Sequence, residues 1–426
     1  MPKLYVANAE EALPTNDILF SKYFSAKTTN IYCRLLTELH PGDKLLVPEA
    51  VATSFGAYMN RLLGIGGGEQ TVIQVEQVGC QLLADLILND SRVMEELRNK
   101  FRAPEWYLEA FIETANVIRL AQALDLPTRG TAPELVEAGL IETYNSKSQF
   151  KRIAREAGLP TVPGTYATTA TELADKVRQL GRHYRRLMLR KAKYAGGHGN
   201  LAGTMDELLP QLNSWYNEGA VLVEPFLDIE EVAGSLVRII DQNLDFLCID
   251  RQIIHNSGWV GFTMPFCPQD MEALYGDFNI DKVRLDALEL AHQAQLRGVR
   301  GLMNLDWAFT RNHRDEPIIL ECNLRHNGLS YIVEFAQAYF GPNWGEQTVY
   351  CREYVPCALP DFEQLRRRLS QLCWRGEKVF IDEPGRSRGL VITHPPRQGI
   401  VALAIFGPDQ EYIDGVRLLA EQAMAS

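Results

Sequence analysis

Glu321-Cys322-Asn323-Leu324-Arg325 is the stretch on which the reading of this chain turns. In a β-strand successive side chains alternate between faces, so Glu321, Asn323 and Arg325 project together. One face then presents a carboxylate, an amide oxygen and a guanidinium within about 14 Å at the rise of a strand. Magnesium prefers oxygen donors and commonly shares them between one or two side chains and a bound phosphate. Arginine adds a planar fork for phosphate or carboxylate. Upstream, Leu302-Met303-Asn304-Leu305-Asp306-Trp307-Ala308-Phe309 sets Asp306 in a largely apolar run, where an aspartate is costly unless paired or metal-bound. The segments 302–309 and 317–324 flank a wholly polar stretch, Arg311-Asn312-His313-Arg314-Asp315-Glu316. That spacing predicts a hairpin in which Asp306 and Glu321 face each other. Each residue alone is as well explained by a surface strand with ordinary salt bridges. Together, Asp306, Glu321, Asn323 and Arg325 predict a metal–phosphate site.

Further out lies Leu187-Met188-Leu189-Arg190-Lys191, an apolar strand that delivers cations into a loop with Gly196, Gly197 and Gly199. Glycines let backbone N–H groups close on an anion, and such a loop can cover phosphates. No Gly-Lys-Ser/Thr follows, so this is not a P-loop. Ser146 and Gln149 form a capping-box pattern ahead of a helix at about 146–157, with Phe150, Ile153, Ala154 and Ala157 on one face. Lys147 then sits in the first turn, where the dipole disfavours a cation unless an anion lies nearby. Val221-Leu222-Val223-Glu224-Pro225-Phe226-Leu227 is an apolar strand ending in an acid and a proline, able to show its backbone to a base edge. The glycines of Leu63-Gly64-Ile65-Gly66-Gly67-Gly68-Glu69 follow a helix-like stretch and precede a strand, the reverse of the dinucleotide context, and are expected to form a loop. Arg366-Arg367-Arg368 is expected on the solvated face of its helix.

The 426 residues suggest two to four domains. Apolar residues make up 46% and charged residues 23%, an ordinary globular balance. A net charge of −11 argues against nucleic-acid or anionic-membrane partners. No apolar run is long enough to span a bilayer, and the start, Met1-Pro2-Lys3-Leu4-Tyr5-Val6, lacks the features of a signal peptide. The eight cysteines are scattered without a C-x-x-C pair, and the eight histidines show no zinc spacing. Reduced thiols and a cytoplasmic setting are the expectation.

The predicted fold is mixed α/β and α+β. Short apolar runs at Leu4–Ala7, Leu45–Val47 and Val72–Val75, separated by helical patterns, predict a Rossmann-like domain over residues 1–135. Within it, residues 107–125 are expected to form one long helix. Residues 136–345 hold the motifs above. Residues 346–426 are expected to form a small C-terminal α/β appendage after a proline-marked linker, Tyr354-Val355-Pro356-Cys357-Ala358-Leu359-Pro360. The appendage would carry one helix from Phe362, strands near 389–393 and 400–406, and a last helix near 411–424.

Taken in order, these motifs resemble the ATP-grasp superfamily, over roughly residues 130–340. The resemblance implies a domain that holds ATP between two subdomains, preceded by a Rossmann-like domain. It implies Lys147 as the first phosphate-contacting lysine, and Lys191, or Arg190 if the alignment takes no gap, as the second. The loop of Gly196, Gly197 and Gly199 would cover the phosphates. Glu224 matches the hinge acid, Phe226 and Leu227 the adenine-contacting backbone, and Glu231 the ribose-contacting acid. Asp306, Glu321 and Asn323 match the magnesium trio, and Arg325 the basic residue beside the reacting groups. The implied reaction activates a carboxylate as an acyl phosphate for attack by an amine. It needs ATP, Mg2+, a small-molecule carboxylate and an amine, and a homodimer is allowed. Biotin-dependent carboxylation shares the core, but no biotinyl site is present and His326-Asn327-Gly328 departs from that pattern. The alternatives are a non-catalytic nucleotide-binding sensor or scaffold of the same fold, and an NAD(P) enzyme built on the first domain. His255, Trp259 and Thr263 lie in a segment that could line an acceptor pocket.

Overall fold

The computed structural model describes residues 1–12, 31–66, 70–76, 81–192, 199–216, 219–255, 258–265, 275–311, 313–381 and 387–425. The first strands are β1 (Lys3–Val6), β2 (Lys44–Val47), β3 (Val72–Gln74) and β4 (Tyr107–Ala110), a four-stranded sheet of order β3-β2-β1-β4. All its pairings are parallel. Leu4, Val6 and Leu46 pack on one face with Leu83, Ile87, Val117 and Leu120 from the helices. Tyr5, Leu45 and Val47 on the other join the main core of the molecule. A parallel sheet covered on both faces explains why these strands read as near-continuous apolar runs.

The long helix expected over 107–125 is instead a strand and a shorter helix. Tyr107–Ala110 pairs with β1, and the helix runs only over Ala115–Leu124, capped by the Thr114 side chain, which accepts from Val117 N. The alternation of half-buried Tyr107 and Glu109 with buried Leu108 and Ala110 is a period of two, and it overrides the helical propensity of the stretch.

A second, antiparallel sheet has the order β5-β8-β6-β7, formed by β5 (Thr165–Ala167), β6 (Leu187–Lys191), β7 (Asn200–Gly203) and β8 (Val221–Pro225). It has its own small core of Leu173, Val177, Leu187, Leu189, Val221 and Val223. The third sheet is larger. It takes β9 (Ile229–Ile239), β10 (Leu244–His255), β11 (Gly258–Pro265), β12 (Gly301–Thr310), β13 (His313–Leu324) and β14 (Thr348–Pro356). After the two-residue strands β15 (Cys373–Trp374) and β16 (Glu377–Lys378), it adds β17 (Gly389–Arg397) and β18 (Ile400–Gly407). Its order is β13-β12-β9-β10-β11-β14-β18-β17. The last part of the chain therefore extends the same sheet, and strand β14 continues through Tyr354, Val355 and Pro356, where the sequence predicts a linker. The helices Phe362–Leu369 and Gln410–Ala425 bury Phe362, Leu365, Leu369, Ile413 and Val416, leaving Arg366–Arg368 on the outer side.

The β12–β13 hairpin forms with Asp306 directly opposite Glu321, as the spacing predicts, though pairing runs on to Thr310 and His313 and the turn is tighter than the six polar residues suggest. Cys33, Cys248, Cys322, Cys351 and Cys357 are buried free thiols, and Cys373 is an exposed one. Among the described residues no helix is long and apolar enough to cross a membrane.

Candidate functional site

A cleft of about 650 Å³ opens between the β5–β8 sheet and the β9–β13 part of the large sheet. The helix Lys147–Glu156 lies at its side, with Phe150, Ile153 and Ala154 buried as expected. Its predicted capping box does not form: the Ser146 side chain caps no backbone N–H, and its hydroxyl meets that of Ser148 at 3.2 Å. Lys147 nevertheless turns into the cleft, and its Nζ lies 3.1 Å from Glu321 Oε2.

Strand alternation separates the two candidate cations of β6. Met188 and Arg190 face the cleft, whereas Leu187, Leu189 and Lys191 are buried on the opposite side. Arg190 Nη2 donates to Glu321 Oε2 at 2.6 Å, and its Nη1 lies 3.7 Å from Glu224 Oε2. Lys191 Nζ stands 5.0 Å from the Trp215 ring. Of the pair left open by the sequence, Arg190 is the one the fold brings to Glu321. The buried Leu187 and Leu189 were the available signal: a residue two positions beyond Leu189 shares its face.

Lys151, one helical turn beyond Lys147, makes an ion pair with Glu224. Sequence reading missed it, although a spacing of four places both lysines on one helix face. The cleft thus holds an alternating chain of charges, Lys147–Glu321–Arg190–Glu224–Lys151, drawn from one helix and both sheets. Burial and the neighbouring Arg190 and Arg155 pull the Lys151 ammonium down to about 7, while contact with Glu224 works against this. Burial alone would raise the Glu321 carboxyl, but Lys147 and Arg190 outweigh it and hold it at about 2.

Asp306, in contrast, is raised well above the usual carboxylate range by burial, by Glu321 and by Asp250. It has no ion pair among the described residues. Its Oδ1 accepts from Gln252 Nε2 at 2.7 Å and its Oδ2 from Asn323 Nδ2 at 3.2 Å. Asn323 Oδ1 accepts in turn from Arg325 Nη2 at 2.6 Å. Arg325 lines both this cleft and a second cavity of about 350 Å³ against the N-terminal sheet.

Asp306, Glu321 and Asn323 supply the oxygen chemistry magnesium requires. They are two carboxylates and an amide; among the described residues no three His, Cys, Asp or Glu side chains cluster for a metal. The fit is in donor type and in the lack of a cation on Asp306. Turning the Asn323 amide about its terminal torsion would point its oxygen at the same place.

Glu224, Phe226, Leu227 and Glu231 all line the cleft. Phe226 N–H donates to Arg186 O at 2.9 Å, so its carbonyl is what it offers a ligand. Glu231 forms an ion pair with Arg251. Gly199 is described, at φ +73°; Gly196 and Gly197 lie outside the described residues. So do Gly67, Gly68, Glu69, Cys80 and Cys267, whereas Gly64 and Gly66 follow the helix Thr53–Leu62 as the loop reading expects. Trp259 lines the cleft, closing over Gly328, where an added Cβ would come within 2.4 Å of the indole; His255 and Thr263 are not among the lining residues.

Another acid of the cleft that sequence reading missed is Asp250. It is 2% exposed, its Oδ1 has no hydrogen-bond partner, and burial pushes its carboxyl from an ordinary 3.8 up to about 7. A carboxyl raised in the folded state stabilises the fold below its unfolded pKa and loses that contribution as pH rises to the folded value. Between about pH 4 and 7 the wild-type chain should therefore lose a few kcal/mol relative to Asp250→Asn. Urea midpoints of both proteins at either end of that range check this; parallel curves would contradict it.

Known proteins match this chain in fold. Residues 32–126 match the family model described as the pre-ATP-grasp domain. No curated protein matches the sequence. Among solved structures, N5-carboxyaminoimidazole synthase from Aspergillus clavatus, in complex with ADP and 5-aminoimidazole ribonucleotide, superposes with a TM-score of 0.59 at 13% identity, covering 99% of this chain and 98% of that one. The biotin carboxylase domain of Hydrogenobacter thermophilus 2-oxoglutarate carboxylase, with MgADP, ADP and bicarbonate, gives 0.59 at 14% identity over 98% and 89%. L-amino acid ligase from Bacillus licheniformis gives 0.52 at 13% identity over 98% and 97%. Residues 32–126 thus resemble the pre-ATP-grasp domain, and the chain as a whole shares its fold with these structures.

Proposed function

We propose that this chain is an ATP-dependent ligase that activates a carboxylate as an acyl phosphate for attack by an amine. The observation that carries this reading is the convergence of Lys147, Arg190, Asp306, Glu321, Asn323 and Arg325 on one cleft between two sheets. A carboxylate oxygen attacks the γ-phosphorus of ATP and ADP leaves. The amine nitrogen then attacks the acyl carbon, phosphate departs and one proton is lost. Asp306, Glu321 and Asn323 would hold magnesium, which would supply charge neutralisation along the phosphates.

The protein's part is to position and to neutralise. Lys147 and Arg190, now both on Glu321, would take the phosphates as partners, leaving Glu321 to hold the metal. Glu224, with the Phe226 carbonyl and Leu227, meets the adenine edge, and Glu231 the ribose. Arg325 orients the acyl phosphate. No protein nucleophile takes part. The acids and cations of the cleft favour this reading over a sensor that only binds nucleotide, because a pure binder need not keep the metal set.

The test is phosphate release by the pure chain with Mg-ATP and pooled carboxylates and amines. Release above background only when both a carboxylate and an amine are present is expected. Tight ATP binding with no release from any pool would contradict the ligase reading. Within the site, Arg190→Met is expected to weaken Mg-ATP binding by about 10- to 100-fold through loss of a charge-assisted phosphate contact, and Lys191→Met by less than about threefold. Equilibrium binding of a fluorescent ATP analogue decides between them, and the reverse order would restore Lys191.

A further inference from the structure

One transverse row crosses four strands of the large sheet: Glu321 of β13 faces Asp306 of β12, Asp306 faces Gly234 of β9, and Gly234 faces Asp250 of β10. Two strand spacings, about 10 Å, separate Asp306 from Asp250 along the backbone. Gly234 leaves the space between them open. A Cβ there would lie 2.1 Å from Asp250 Oδ1, so the carboxylate leans across β9 toward Asp306. Its Oδ1 is buried and without a hydrogen-bond partner. No described ion pair includes Asp250 or Asp306. The group standing between them is the Gln252 amide, whose nitrogen reaches Asp306 Oδ1 at 2.7 Å and lies 3.2 Å from the same Cβ position. That amide is neutral. A metal held by Asp306, Glu321 and Asn323 answers the charge of Asp306 and leaves Asp250 unanswered.

A buried carboxylate with an unused oxygen beside a ligand cleft calls for a cation that carries N–H or O–H donors. We propose that Asp250 receives the ammonium group of the amine substrate, which makes it the residue that selects a cationic primary amine as acceptor. This rests on the ligase reading and adds the acceptor's chemistry to it. The Gln252 side chain turns aside to admit the ammonium and offers it an amide oxygen. Farther along the same strand Ile254, with Trp259 closed over Gly328, forms an apolar wall for the substituent of the amine. The acceptor class is accordingly a primary amine with a small apolar substituent. A second divalent ion fits less well, because the described residues offer no third His, Cys, Asp or Glu to complete its shell.

Calorimetric titration of the full chain, with Mg2+ and a non-hydrolysable ATP analogue, tests this with ethylamine, glycinamide, L-alaninamide and N-acetyl-L-alaninamide. At least one of the three cationic amines is expected to bind, and the acetylated compound is not. Asp250→Asn should weaken the amine at least 30-fold while leaving the ATP analogue within twofold. Gly234→Ala, which drives the carboxylate out of its place, should do the same. Binding of no amine to the wild-type chain, equal binding to Asp250→Asn, or loss of one Mn2+ equivalent in that variant with amine affinity unchanged would each overturn the proposal. These titrations need no turnover. A failure of phosphate release therefore counts against the ligase reading, and unchanged amine binding against Asp250 alone.

Discussion

Glu321→Gln is expected to lower magnesium-dependent phosphate release by about a thousand-fold while the chain stays folded. Glu321 is held at about 2 because two cations converge on it, Lys147 at 3.1 Å and Arg190 at 2.6 Å. Glutamine keeps the shape and one acceptor oxygen but removes the charge that both the cations and magnesium use. Buried Lys147 and half-buried Arg190 then lose their carboxylate, a loss that costs about 3–5 kcal/mol when the partner of a fully buried charge is deleted outright and less here, where an amide replaces it. Without magnesium, the freed cations should hold ATP at least as well as in the wild-type chain. The check is phosphate release against magnesium concentration, beside ATP binding with and without the metal and a thermal melt. Wild-type turnover in a folded variant would remove Glu321 from the reaction.

Arg325→Ala is expected to act on the chemical step. Its guanidinium donates to Asn323 Oδ1 at 2.6 Å and to His326 O at 3.3 Å, and no described ion pair includes it. Burial pulls its pKa below the usual arginine value, against the attraction of Glu321 and Asp306. A half-buried guanidinium with no described ion pair, at the boundary between the cleft and the second cavity, is placed to meet an anion of the substrate. Its removal should lower kcat by about 100- to 1000-fold, as for other preorganised donors at developing charge, with ATP affinity changed less than about threefold. A large rise in the ATP dissociation constant with kcat preserved would move Arg325 to nucleotide binding.

Much of this site was legible because short-range rules govern it. The period of two in Glu321, Asn323 and Arg325, and the hairpin that sets Asp306 opposite Glu321, follow from strand geometry alone. What was not legible depends on pairings distant in sequence. Asp250 meets the site only through Gly234 and β9, and nothing in the run Cys248-Ile249-Asp250-Arg251 points to a partner some fifty residues away. Tyr107–Ala110 was misread as helix because its strand character comes from β1, about a hundred residues earlier in the chain. The final strands β17 and β18 likewise show that they belong to the large sheet only through β14. Lys191 is a different case. The alternation that turns it away was present in Leu187 and Leu189, and resemblance outweighed it.

The central claim is that a carboxylate oxygen attacks the γ-phosphate, and isotope transfer tests it most directly. The carboxylate that supports phosphate release would be labelled with oxygen-18 and the released phosphate analysed by mass. One labelled oxygen in each phosphate is the result this mechanism predicts. Unlabelled phosphate, with turnover intact, would show that water or another nucleophile attacks ATP and would contradict it.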